Sequence, residues 1–112
     1  MTAFQDRERA FEAKFAHDKE FRFLTLARRD KLLAHWSTER LGLSGQARAD
    51  LTASVLALRD GAGHDEALLT HVAATRSSHG DGAPRTEPAA VLNRCAAQAR
   101  QQLLDSPMLH DA

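Results

Sequence analysis

Residues 20–41 read EFRFLTLARRDKLLAHWSTERL and contain neither glycine nor proline. Phe23, Leu26, Leu33 and Trp36 recur at the spacing of one drifting helical face. Phe21, Leu24 and Leu32 cover a second side, so this helix is expected to meet neighbours on more than one flank. Gly42 follows Leu41 as a natural C′ residue, because glycine tolerates the left-handed conformation that ends a helix. A helix that is apolar on two flanks needs other helices to cover it.

The chain downstream supplies them. Ser44 offers an N-cap hydroxyl, and Ala47, Leu51, Val55 and Leu58 then recur at i, i+4, i+8 and i+11 up to the breaker cluster Asp60-Gly61-Ala62-Gly63. A third helix is expected from about residue 64 to 76. Asp65 and Glu66 fall in its first turn, where carboxylates favour the positive end of the dipole; Leu68, Leu69, Val72 and Ala73 form its apolar side. SSHGDGAPR, residues 77–85, reads as a loop. Thr86 is placed to cap a last helix, and Pro88 in its first turn lacks only a donor that would be unpaired there anyway. Leu92, Ala96, Ala99 and Leu103 form its seam with Cys95 alongside. Pro107 ends it, and residues 106–112 read as a frayed tail. The fold class is all-α, a small four-helix bundle over residues 20–105.

Composition narrows the function. A chain of 112 residues is one domain at most, with room for an arm or tail. Fifteen basic residues balance fifteen acidic ones, so no net field draws the chain onto nucleic acid or an anionic membrane. Cys95 is the only cysteine, which excludes an internal disulfide framework and a cysteine-rich zinc site. No secretory h-region and no apolar run near the ~20 residues of a bilayer span is visible, so a soluble intracellular protein is expected. The six histidines, at 17, 35, 64, 71, 79 and 110, include no i, i+4 pair for a metal, and solvent exposure is the default for most. No carboxylate pair, serine–histidine set or phosphate loop stands in a catalytic context, and SHGDGAP lacks the Lys-Ser/Thr ending. Neither an enzyme nor a cofactor is expected. Cys95 reads as a buried apolar filler and Trp36 as a core anchor.

The N-terminal segment differs from the rest. All five phenylalanines lie within residues 4–23. Positions 4, 11 and 15 fall within roughly 40° of one another on a helix. Around them the charges alternate in sign from Asp6 to Glu20. An aromatic stripe so narrow is poorly shaped for one side of a core and well shaped for a groove on another protein. Ordering residues 1–19 costs roughly 1–2 kcal/mol of backbone entropy per residue. Three buried phenylalanines return at most about 3 kcal/mol each, and short isolated helices are marginal in water. Residues 1–19 are therefore expected to be a flexible or nascent-helical arm that becomes fully helical when bound. His17, beside Asp18, is positioned to make docking depend on pH.

FQDRERAFEAKFAHDKE, ARRDKLLAHW and ERLGLSG together resemble the zeta subunit family of alphaproteobacteria, the intrinsic inhibitor of the F-type ATP synthase. The similarity is dense from Thr2 to Gly45; Gly63-His64-Asp65-Glu66 is a weaker echo. The resemblance implies a four-helix bundle with an N-terminal inhibitory region, found in the cytoplasm and peripheral to the inner membrane through the synthase. It implies partners in the catalytic head (the α, β and γ subunits), with an N-terminal helix wedged at an α/β interface facing γ and opposing rotation in the hydrolytic direction. Phe4, Arg7, Phe11, Lys14, Phe15 and His17 are the implied contacts, while Arg28, Arg29 and Trp36 would hold the body or flank the site. Asp30 stands where the family pattern suggests an amide, and Ala34 and His35 where it suggests a glycine and an apolar residue; these departures bear on potency. The alternative is a helical adaptor of the same fold whose inhibition is weakened or lost.

Overall fold

The computed structural model describes residues 3–81 and 86–105, and the side chains at 4 and 11–16 lie outside that description. Four helices occur among the described residues: α1 (Ala3–Arg40), α2 (Gly45–Leu56), α3 (His64–Ser78) and α4 (Thr86–Leu104). The described residues contain no strand, and the fold is all-helical.

α1 ends where the sequence places its stop. Gly42 takes a left-handed φ of 66°. The Leu43 N–H reaches Thr38 O at 2.9 Å and the Gly42 N–H reaches Glu39 O at 3.1 Å, the paired closing bonds of a Schellman motif. The other end of α1 lies at Ala3. The helix runs without interruption through residues 19 and 20, so the anticipated border between arm and body falls inside it.

Ser44 occupies the N-cap of α2 in an extended conformation, but its hydroxyl makes no capping bond. α2 ends at Leu56, earlier than expected, and Leu58 packs against the core from the turn beyond. α3 begins after Gly63 at φ 80° and carries Asp65 and Glu66 in its first turn. It continues through Ser78, into the stretch read as loop. A second Schellman closure follows, with Gly80 at φ 79° and the Asp81 N–H 2.9 Å from Arg76 O. Residues 82–85 and 106–112, including the expected stop at Pro107, lie outside the described residues. Pro88 sits in the first turn of α4, as anticipated, and is buried.

α1 is the spine; it packs along α4 and α2, and α3 closes on α4 and α2. Leu33, Val55, Leu68 and Val72 are fully enclosed, with Leu51, Val91, Leu92 and Cys95 beside them. Each such aliphatic side chain contributes about 1.5–3 kcal/mol by leaving water. Ser37 and Thr38 are buried too, their hydroxyls donating back to Leu33 O at 2.9 Å and His35 O at 2.8 Å. Those local bonds satisfy the hydroxyls and leave room for the neighbouring helix.

Candidate interaction surface

α1 outruns its partners. At its C-terminal end Arg40 Nη1 lies 2.9 Å from Glu87 Oε1 at the start of α4. Further back the Arg100 guanidinium stands 5.7 Å from the Phe21 ring, a cation–π pair in an antiparallel arrangement. Only Gln101 to Leu104 remain of α4 beyond that point, about 6 Å of helix. α1 runs on toward Ala3, and residues 5–10 and 17–20 are exposed. The radius of gyration is 17.9 Å, against about 13 Å for a compact chain of this length. The longest dimension, 64 Å, follows from 38 residues of α1 at 1.5 Å each.

Of the candidate contact residues, Arg7 and His17 are exposed on this projecting half. Phe4, Phe11, Lys14 and Phe15 occupy α1 positions whose side chains lie outside the described residues. All six therefore share one element, the part of α1 that reaches past α4.

Two polar locks fasten the remaining half of α1 to its neighbours. Near the C-terminal end of α3, the enclosed Arg76 donates through Nε to Asp81 Oδ2 at 2.9 Å and stacks 5.2 Å from the Trp36 ring. Its Nη2 lies 2.8 Å from the same carboxylate oxygen and 3.6 Å from Glu87, off the line of a good hydrogen bond. The Asp81 hydrogen bond and charge, with Glu87, outweigh burial and hold the guanidinium pKa above its ordinary value. Arg40 Nε adds a 3.3 Å contact to Asp81, so one carboxylate gathers α1 and α3 while Glu87 brings in α4.

At the other end of α3, Arg29 Nη2 meets Asp65 Oδ1 at 2.7 Å and its Nε meets Asp30 Oδ1 at 3.0 Å. Burial would lower the Arg29 pKa, but the two carboxylates overcome it and raise it. Arg29 in turn holds Asp65 below the usual carboxylate range, through its hydrogen bond first and its charge second. His64 Nε2 lies 2.6 Å from Asp30 Oδ2, and His64 Nδ1 lies 2.7 Å from Arg59 O. Arg29 and Trp36 thus sit within the body, as their motif suggests, while Arg28 is exposed. The Asp30–His64 bond was not foreseen; its only trace in the sequence is an acid at a position where the motif suggests an amide.

Beside this second lock runs an open groove of about 390 Å³, walled by Phe23, Leu26, Leu56 and Leu58 and rimmed by Asp60, His64 and Asp65. Phe23 is 60%, Leu56 51% and Leu26 44% exposed. Phe23 and Leu26 share the core-facing side of α1 but lie past the end of α2, which explains their exposure. Cys95 is buried, and burial pushes its thiol pKa up, the opposite of what a nucleophile needs. Among the described residues no three His, Cys, Asp or Glu side chains gather to hold a metal, and no helix is long and apolar enough to cross a membrane.

No curated protein and no solved structure matches the chain. The model of one family, ATPase inhibitor subunit zeta, matches residues 1–102, which takes in α1, α2, α3 and nearly all of α4. The chain belongs to the ATPase inhibitor subunit zeta family.

Proposed function

We propose that this chain is a regulatory, non-catalytic subunit of the F-type ATP synthase that blocks ATP hydrolysis. Residues 1–19 act as the inhibitory arm, residues 20–105 form a four-helix bundle that carries it, and residues 106–112 are a tail. The arm inserts as a helix at an α/β interface of the catalytic head, facing γ. Hydrolysis needs the catalytic interfaces to open and close in turn, and a helix filling one cleft holds that cycle in one state. Synthesis, with the opposite rotation, expels rather than tightens the wedge. The protein works on the cytoplasmic side, peripheral to the inner membrane through the synthase.

The observation that carries this reading is reach: α1 continues well past the described end of α4, and residues 5–10 and 17–20 are exposed. Phe4, Phe11 and Phe15 supply apolar anchors on one helical face, and Arg7, Lys14 and His17 the flanking polar contacts. On this reading the half of α1 beyond α4 exchanges with unwound chain in the free protein and is fixed on binding. The test is a titration of ATP hydrolysis by the purified synthase head with the full chain and with a chain lacking residues 1–19. The full chain is expected to inhibit; the truncated one is expected to lose inhibition and keep the melting of the body. Equal inhibition by both proteins would remove the arm from the mechanism.

A further inference from the structure

Both ring nitrogens of His64 face acceptors: Nε2 the Asp30 carboxylate at 2.6 Å, Nδ1 the Arg59 carbonyl at 2.7 Å. A neutral imidazole carries one N–H and one lone pair, so it satisfies only one of these contacts. The imidazolium donates to both. From this geometry we infer that His64 is a pH-operated clamp, tying α1 to the corner between α2 and α3 while protonated and releasing the Arg59 side of that tie when it loses its proton.

The neighbours decide which bond breaks. From α1, Asp30 and Arg29 face the site; from the α2–α3 connection, Arg59 and Asp60; from α3 itself, Asp65. Arg29 is engaged by Asp30 and Asp65, leaving Asp30 Oδ2 to His64. A carboxylate is a stronger acceptor than a neutral carbonyl. Neutral His64 therefore keeps its one proton on Nε2 toward Asp30, and the Nδ1 lone pair is left against Arg59 O. That contact is repulsive and loosens the Arg59–Gly63 corner, which also walls the groove lined by Phe23, Leu26 and Leu56. Deprotonation leaves the groove rim more negative by one charge. Burial lowers the His64 pKa, but the Asp30 hydrogen bond, the Arg59 carbonyl and the charges of Asp30 and Asp60 outweigh it and raise it. Because the folded-state pKa is the higher one, the clamp's stabilisation is complete below the unfolded value of about 6.5. It is lost as pH rises through the folded value.

The test follows the ring nitrogens of the full-length protein by long-range ¹H–¹⁵N NMR from pH 5 to 9, alongside melting curves over the same range. His64 is expected to titrate above about 6.5, with both nitrogens protonated at the acid end and Nε2 alone protonated at the alkaline end. Asp30→Asn is expected to lower that midpoint and to remove the decline in Tm between pH 6.5 and the wild-type midpoint. His64→Gln is expected to lose the same decline by a separate route. A wild-type His64 that titrates at or below about 6.5, or keeps its proton on Nδ1 at high pH, overturns the clamp without recourse to any variant. An unchanged midpoint in Asp30→Asn overturns it equally.

Discussion

Arg76 is almost fully enclosed, with its guanidinium stacked on Trp36 and paired with Asp81. Truncating one member of a buried ion pair strands the other, a loss of about 3–5 kcal/mol in comparable cases. Asp81 is part-exposed and keeps Arg40 as a neighbour, so Arg76→Ala is expected to cost about 3 kcal/mol in urea unfolding. Arg76→Lys should recover little of that loss, because an ammonium replaces neither the planar stack nor the two-nitrogen contact. Asp65 gives a smaller effect with a defined pH signature. Arg29 lowers its folded pKa, so its stabilisation is present above the unfolded value and lost as pH falls through the folded one. The Asp65 side chain is 61% exposed, which limits the contribution to under about 1 kcal/mol. Asp65→Asn should be the less stable protein at pH 7, and its deficit should shrink as pH falls through the lowered folded pKa of Asp65, as read from urea midpoints. Trp36 and Cys95 were legible as core residues because size and apolar company announce them. The partnerships of Arg29 with Asp65 and of Asp30 with His64 were not. They join residues 36 and 34 positions apart, and no local pattern links charges across two helices.

At the scale of the element, punctuation by glycine was legible wherever it stood alone. Gly42 ends α1 at a left-handed φ as its place after an unbroken apolar run implies. Gly80 does the same for α3, but it sits among serine, aspartate, proline and a second glycine, so composition read the whole stretch as loop. No atom lies within 4 Å of a Cβ built on either glycine, and any cost of alanine there comes from the backbone alone. Gly42→Ala and Gly80→Ala should each lower stability by about 1 kcal/mol, seen as a lower Tm, with asparagine at position 42 losing less. Periodicity located the four described helices but misjudged coverage. Phe23 and Leu26 have the spacing of a core face and Leu33 shares it, yet only Leu33 is enclosed. α2 stops at Leu56 and leaves the earlier turns of that face open. How far a partner helix extends is set by the tertiary arrangement, which a stripe on one helix does not encode. Ser44 is the converse: a residue type suited to capping, in the N-cap position, whose hydroxyl makes no bond.

At the scale of the whole molecule, the described part of α1 runs on as a rod past the described end of α4, and every phenylalanine of the sequence falls within residues 4–23. The resemblance read from the sequence is densest from Thr2 to Gly45, whereas the family model matches residues 1–102. If the rod is the inhibitory element, its affinity resides in a few anchors and not in its length. Phe11→Ala combined with Phe15→Ala should then weaken binding to the synthase head by about 4–6 kcal/mol, at about 2–3 kcal/mol for each buried ring. Helicity of the body and its Tm should stay at wild-type values, since these positions lie beyond the end of α4. Arg7→Ala should cost less and lose its effect in high salt, as expected for a charge at the rim of an interface. Calorimetric titration of the head with each variant at two salt concentrations separates these contributions. A double phenylalanine variant that binds like the parent while Arg7→Ala does not would mean that charge, and not the aromatic stripe, holds the rod in place.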